Sequence, residues 1–509
     1  MRFFFAALTL YASFLLPATA ALDPVHTAGG LVSGVPGDEE TIRVYRGIPY
    51  AAAPVGDLRW RPPQAPPSWK GVKTASRFSP ACEQPPYPKG SLYYHAPEPE
   101  SEDCLYLNIW TGARSPNERR PVMVWIHGGA LTRGSGSIEV YDGEALARKG
   151  VVLVTINYRL GIFGFFAHPS LTAESSHRSS GNYGLLDQVA ALQWVRQNIA
   201  GFGGDPQRVT IFGESAGSWS VNYLAATPLA HGLFQRAIGE SGGGFSPQAK
   251  LADAEAAGLK FAKSASLADL RAKPAAELLQ ASGLYSFPPS VDGWFLPEDV
   301  YSIYASGRQN DVPLLIGSNA DEAKSLVPWS GTAAAFVAEQ KRRFGDLISD
   351  FLRVYPASTD AEAESAHYAS FRDYVFGWEM RTWARMATKT GRSPANLYYF
   401  NRVPPGPLGE KYGAYHAAEI VYVFDNLSRL QHEPWREEDR KLAGVLSSYW
   451  VNFARTGNPN GAGLPVWPSY QAKTDEVLQI GDTLAPVKTP HQAALDFLDR
   501  YFARTRAGK

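Results

Sequence analysis

The sequence predicts an α/β fold with a mostly parallel central sheet and helices on both faces. Two observations carry the prediction. Apolar, β-rich runs recur along the 509 residues, bounded by turn residues, and they hardly alternate in polarity. That is the pattern of strands buried on both faces. Helical patterns lie between them, and strands alternating with helices build a sheet covered on both sides.

The strand-like runs are Pro121–Ile126, Val151–Ile156, Arg208–Phe212, Val312–Ile316 and Leu397–Phe400. They end at His127-Gly128-Gly129, Asn157-Tyr158-Arg159, Gly213, Gly317-Ser318-Asn319 and Asn401-Arg402. The clearest helix is Leu185 to Ile199, with Leu185, Val189, Leu192, Val195 and Ile199 on one face. In sheets of this kind sites form at the carboxyl ends of strands. Two Ala- and Leu-rich stretches, 248–308 and 332–390, read as helical insertions flanking or covering such a site. The Pro404-Pro405-Gly406-Pro407 run reads as a loop leading toward His416.

Composition narrows the function. Lys+Arg and Asp+Glu are both 49, so the formal net charge is zero. A nucleic-acid binder would carry a basic excess. The N-terminus has the layout of a secretory signal: Arg2, an apolar run from Phe3 to Leu16, and an Ala18-Thr19-Ala20 cleavage site. The run is short for a membrane span. The expectation is removal of residues 1–20, a secreted or periplasmic product and no stable membrane insertion afterwards. Cys82 and Cys104 are the only cysteines. In an exported chain they are expected to form one disulfide. No His/Cys cluster has ligand spacing, so no metal and no cofactor is expected. Asn426-Leu427-Ser428 is a glycosylation sequon, usable only in a eukaryotic host.

Gly213-Glu214-Ser215-Ala216-Gly217 is a G-x-S-x-G pentapeptide. A strand turning sharply into a helix there exposes the serine oxygen, and flanking glycines let the backbone pass closely. A β run precedes the motif, and a helix-compatible segment from Ser218 to Leu224 follows. The N–H of Ala216 then faces a forming oxyanion. His127-Gly128-Gly129-Ala130, at the end of an earlier strand, matches the second oxyanion element of the α/β-hydrolase fold.

Serine needs a base to take its proton. The chain order in this fold is Ser, acid, His, which leaves His367, His416, His432 and His491 as candidates. His416 follows the loop after the Leu397–Phe400 run. The acid is Asp321 or Glu322, directly after the Val312–Ile316 run; composition does not separate them.

These motifs resemble the type-B carboxylesterase/cholinesterase family. The segment from Phe202 to Gly217 fits its active-serine pattern throughout. Glu102 to Asn108 fits its second signature at the core, with Gly112 departing from the usual residue. Tyr45–Ala51, Leu58–Pro63, Gly181–Gln188, Trp194–Ile199 and Trp450–Pro459 are also similar. The resemblance runs from about residue 25 to 500, which favours one catalytic domain over 21–509 above the roughly three that length alone would allow.

The resemblance implies an α/β-hydrolase fold with helical insertions around an active-site gorge. It implies a Ser215–His416–Glu322 triad, with oxyanion N–H groups from Gly129, Ala130 and Ala216 and the turn shaped by Gly128. Glu214, Ser241 and Glu419 resemble the family's supporting polar residues. The Cys82–Cys104 loop holds no tryptophan, which cholinesterases use to bind quaternary ammonium. Tyr94 stands ten residues before Cys104, and Leu131 stands where an aromatic is common. Both are expected in the substrate pocket, and neither suits choline. The expected activity is hydrolysis of small-molecule carboxylic esters, falling below about pH 6–7 as His416 protonates. The rivals are a catalytically inactive binding or adhesion protein and a narrower lipase, amidase or natural-product esterase. Oligomeric state is not readable from these residues.

Overall fold

The structure, a computed structural model, describes residues 23–283, 285–430 and 433–508. The expected signal segment 1–20 and His432 lie outside them. Eleven strands form the central sheet: β1 (Val35–Pro36), β2 (Arg43–Pro49), β3 (Tyr106–Thr111), β4 (Arg120–Ile126), β5 (Val152–Ile156), β6 (Gly204–Glu214), β7 (Arg236–Glu240), β8 (Leu314–Asn319), β9 (Ala395–Phe400), β10 (Glu476–Ile480) and β11 (Leu484–Lys488). Their spatial order is β11-β10-β9-β8-β7-β6-β4-β5-β3-β2-β1. Every pairing from β5 across to β10 is parallel. The outer pairings, β5–β3, β3–β2, β2–β1 and β10–β11, are antiparallel.

The sheet is apolar on both faces. Along β4, Val122, Val124 and Ile126 join one core cluster, while Met123 and Trp125 join the other. Ile211 and Ala237 extend the first, and Phe212, Ile238 and Leu315 the second. Each large aliphatic side chain buried in this way stabilises the fold by about 1.5–3 kcal/mol. Double-sided burial is why the strand runs do not alternate in the sequence.

The helices that matter for the site are α1 (Tyr183–Asn198), α2 (Ala216–Ala226), α3 (Trp378–Thr390), α4 (Glu437–Thr456) and α5 (Gln492–Arg506). α1 and α2 are tied by Gln188 Nε2 donating to Ser220 Oγ at 2.9 Å. The stretch 248–308 forms short helices at Leu251–Ala262, Leu267–Ala272, Ala275–Ser282 and Val300–Ala305. The stretch 332–390 forms Ala333–Phe344, Ile348–Val354, Asp360–Arg372 and α3. Cys82 and Cys104 are disulfide-bonded. Among the described residues no helix is long and apolar enough to cross a membrane. The Asn426 side chain is buried and donates to the carbonyls of Val140 and Asp142 at 3.0 and 2.7 Å, so the folded chain does not present this sequon for glycosylation.

Candidate active site

β6 ends at Glu214 and α2 begins at Ala216, so Ser215 alone makes the turn between them. Its backbone sits at φ 57° and ψ −122°. That region is strained for an L-residue and is held only where the surroundings over-determine it. Here they do. The Ser215 N–H donates to the Glu240 carbonyl at 2.8 Å, and its own carbonyl accepts from Trp219 N–H at 2.9 Å. A Cβ at Gly217 would stand 2.0 Å from the Ile126 oxygen, and one at Gly213 2.5 Å from the same atom. Both flanking glycines are thus required by the close passage of β4.

The turn after β4 faces this elbow. Gly129, Ala130 and Leu131 have φ of 101°, 56° and 58°. A Cβ at Gly128 would meet the Glu214 carbonyl oxygen and Oε2, both at 2.8 Å, and Ser215 Cβ at 3.1 Å. The turn is locked from behind. Tyr158 Oη donates to the His127 carbonyl at 2.7 Å, and its ring stacks on the His127 imidazole at 4.4 Å. Burial pushes His127 down to about 4. It is therefore neutral at pH 7, and its Nδ1–H donates to the Gly128 carbonyl at 2.9 Å. Among the described residues, the N–H groups of Gly128, Gly129 and Ala130 donate to no acceptor. Ala216 opens α2, so its N–H lacks an intrahelical partner.

The loop after β9 brings His416 to the same place. Its Nδ1–H donates to Glu322 Oε2 at 2.6 Å. Glu322 is fully buried, and its other oxygen accepts from the Asn319 N–H at 2.7 Å. The opposite ring nitrogen, Nε2, lies 3.1 Å from Glu214 Oε1, the residue before Ser215. The Glu322–His416 hydrogen bond is thus formed, while Ser215 Oγ makes no hydrogen bond among the described residues. Such contacts commonly tighten only when substrate binds. Phe376 packs on the imidazole at 4.9 Å, and Tyr93 lies edge-on at 6.3 Å with its hydroxyl 3.3 Å from the His416 carbonyl.

The other candidates are placed elsewhere. Asp321 accepts from Ala414 N–H at 3.0 Å and pairs with Lys324 at 2.8 Å, bracing the loop that carries His416. His367 contacts the Val327 carbonyl and packs beside Trp329. His491 stands at the start of α5 against Tyr399.

Beneath the site lie several buried carboxyls. Burial raises Glu214 to about 8, and burial with the nearby Glu322 carboxylate raises Glu419 to about 7. Burial opposes protonation of His416, but the carboxylates of Glu214, Glu322 and Glu419 outweigh it and raise the imidazole to about 9. Asn319 Nδ2 donates to Glu419 Oε2 at 2.5 Å. Ser241, with φ 57°, is fully buried, and its Oγ meets no partner among the described residues. Glu240 was not singled out from the sequence. Register pairs it with Glu214 across β6–β7, Trp450 Nε1 donates to it at 2.8 Å, and burial beside Glu419 raises it well above its ordinary value. The available signal was its place at the end of a strand directly before Ser241.

A cleft of about 870 Å³ adjoins the elbow through Ala130 and Trp219, although neither Ser215 nor His416 is among its lining residues. Ala130 and Leu131 line one wall, Trp219 and Tyr223 of α2 another, and Tyr285 and Tyr374 come from the two insertions. Leu131 is buried against it. Tyr94 corrects the expectation: it is 43% exposed and lines no part of this cleft, and its neighbour Tyr93 takes the inward place beside His416.

The sheet order, the strained serine after β6 and the histidine–glutamate pair beyond β8 and β9 define an α/β-hydrolase. The Carboxylesterase family model matches residues 23–498. The chain is 40% identical to fumonisin B1 esterase of Sphingopyxis macrogoltabida, over 90% of this chain and 86% of that protein. It is 37% identical to para-nitrobenzyl esterase of Bacillus subtilis (strain 168), over 89% and 94%. A solved PNB esterase superposes with TM-score 0.83 at 35% identity, covering 93% of this chain and 99% of that one. The chain belongs to the carboxylesterase family and is a carboxylic ester hydrolase.

Proposed function

We propose that the protein is a secreted or periplasmic carboxylesterase acting through a Ser215–His416–Glu322 triad and a covalent acyl-enzyme. The observation that carries the triad is the His416 imidazole, held by Glu322 at 2.6 Å with its free nitrogen at the Glu214–Ser215 elbow. Ser215 attacks the ester carbonyl while His416 takes its proton. The N–H groups of Gly129, Ala130 and Ala216 receive the oxyanion, with Gly128 shaping their turn. Such preorganised donors supply several kcal/mol of transition-state stabilisation. Glu322 holds the imidazole in the right tautomer and stabilises its charged form. His416 then protonates the leaving alcohol, the ester C–O bond breaks, and water repeats the sequence on the acyl-enzyme. Glu214, Ser241 and Glu419 support the pair from below. We read residues 21–509 as one catalytic unit following a signal peptide at 1–20; the Cys82–Cys104 disulfide is consistent with export.

The 40% identity to a fumonisin B1 esterase favours a second, narrower reading, an esterase dedicated to a toxin of that type. One experiment addresses both. Wild type and Ser215→Ala are assayed on a chain-length series of nitrophenyl esters and on fumonisin B1. The general reading expects turnover of short esters that Ser215→Ala lowers by at least about 10³-fold. The narrow reading expects kcat/KM on fumonisin B1 to exceed every nitrophenyl ester. Equal rates for wild type and Ser215→Ala overturn both readings and favour a binding role.

A further inference from the structure

The charged groups around the cleft are few. Its lining holds three ionisable charges: Glu83, Arg133 and Glu379. Glu379 is already committed. It is buried on α3 and accepts from the N–H groups of Phe245 and Ser246 at 2.7 and 3.0 Å and from Ser246 Oγ at 2.5 Å. It therefore clamps the cleft wall at residues 243–246 with both of its oxygens engaged. Glu83 is partly buried beside Glu100 and Glu102; burial first, then those two carboxylates, raise it above its ordinary value. Neither acid forms an ion pair with Arg133. Arg133 is the one cation among the described residues lining the cleft.

Arg133 is also held in one orientation. It lies three residues beyond Ala130, just after the turn that packs against Ser215 at Gly128. Its Nε–H donates to the Pro85 carbonyl at 3.1 Å and reaches the Pro86 carbonyl at 3.4 Å. The guanidinium lies 5.7 Å from the Tyr87 ring centroid. These contacts use Nε and one face of the fork. Among the described residues neither terminal nitrogen has a hydrogen-bond or ion-pair partner. A fixed guanidinium with both terminal nitrogens free is preorganised for a planar two-oxygen anion.

We propose that Arg133 is a specificity-determining residue: its fork binds a carboxylate carried by the ester, so the cleft prefers anionic esters over neutral or cationic ones. This rests on the esterase reading.

The carboxylate could sit on the acyl or the alcohol part, so the test has two arms. The first compares nitrophenyl hydrogen glutarate with its methyl-capped diester. The second compares nitrophenyl butyrate with and without a ring carboxylate. Wild type, Arg133→Gln and Arg133→Lys are assayed, and the readout is the charged-to-neutral ratio of kcat/KM, so intrinsic leaving-group differences cancel between variants. We expect Arg133→Gln to lower this ratio in at least one arm on the order of tenfold, through KM, the size of one charge-assisted hydrogen bond. Arg133→Lys should retain part of it. The wild-type ratio in that arm should fall with added salt. A ratio unchanged by Arg133→Gln in both arms overturns the proposal. Failure of wild type on all four esters, or equal rates with Ser215→Ala, would instead overturn the esterase reading.

Discussion

At His416 burial and charge pull in opposite directions, and charge wins. The imidazole lies between Glu322 at 2.6 Å and Glu214 at 3.1 Å, and their carboxylates raise it toward about 9. In the proposed triad it must be neutral to accept the serine proton, so activity is expected above its pKa and lost as pH falls through it. The acid limb of kcat/KM therefore belongs above the pH 6–7 expected of an ordinary imidazole. Glu214→Gln removes one of the two nearest carboxylates, and we expect the limb to move down relative to wild type. A pH–kcat/KM profile checks this: an unmoved limb would mean Glu214 is neutral beside His416, and a raised one would contradict the account. At this scale the sequence left gaps. Asp321 and Glu322 are adjacent acids that composition does not separate; the family resemblance implies Glu322, and the fold directs Glu322 at His416 and Asp321 at Ala414 and Lys324. Tyr94 was placed by counting from Cys104, but the disulfide loop has no repeating geometry, and its neighbour Tyr93 is the one that faces inward.

At the scale of elements, the site is a set of strand ends. The end of β4 supplies the turn proposed to hold the oxyanion, β6 the elbow and β7 the carbonyl that holds Ser215 N–H; the loop after β8 supplies Glu322, and that after β9 supplies His416. This part was readable because central strands buried on both faces leave long apolar runs ending in Gly, Asn or Arg. β7 escaped notice: Arg236-Ala237-Ile238-Gly239-Glu240 is only five residues long and has an ionisable residue at each end, Arg236 half-buried and Glu240 fully buried. β2 and β3 were seen only as motifs, since antiparallel flanking strands carry weaker apolar runs. The close passage of β4 and α2 makes a direct prediction. Gly217→Ala would put a Cβ 2.0 Å from the Ile126 oxygen, against backbone that has nowhere to go. We expect a loss on the order of 3 kcal/mol in urea unfolding. Any folded fraction should show kcat down about 100-fold, because the displaced Ala216 N–H misses the oxyanion. Wild-type stability together with wild-type kcat would contradict this geometry.

At the scale of the molecule, a chain with zero formal net charge places its chemistry in one local arrangement above a sheet with two apolar faces. The cleft over that arrangement is built largely by the two insertions, whose helical character was readable while their inward residues were not. Tyr285, Tyr374 and Glu379 reach the cleft only because the insertions fold back over the strand ends. The central claim is that one serine, Ser215, is the group acylated. It is tested most directly by treating the full chain with a nitrophenyl alkylphosphonate, which serine nucleophiles attack to give a stable tetrahedral adduct, and locating the adduct by peptide mass spectrometry. We predict one phosphonyl group per chain, on the peptide carrying Ser215, formed in step with loss of esterase activity. Inactivation with the adduct on another residue, or undiminished hydrolysis with Ser215 fully labelled, would contradict it.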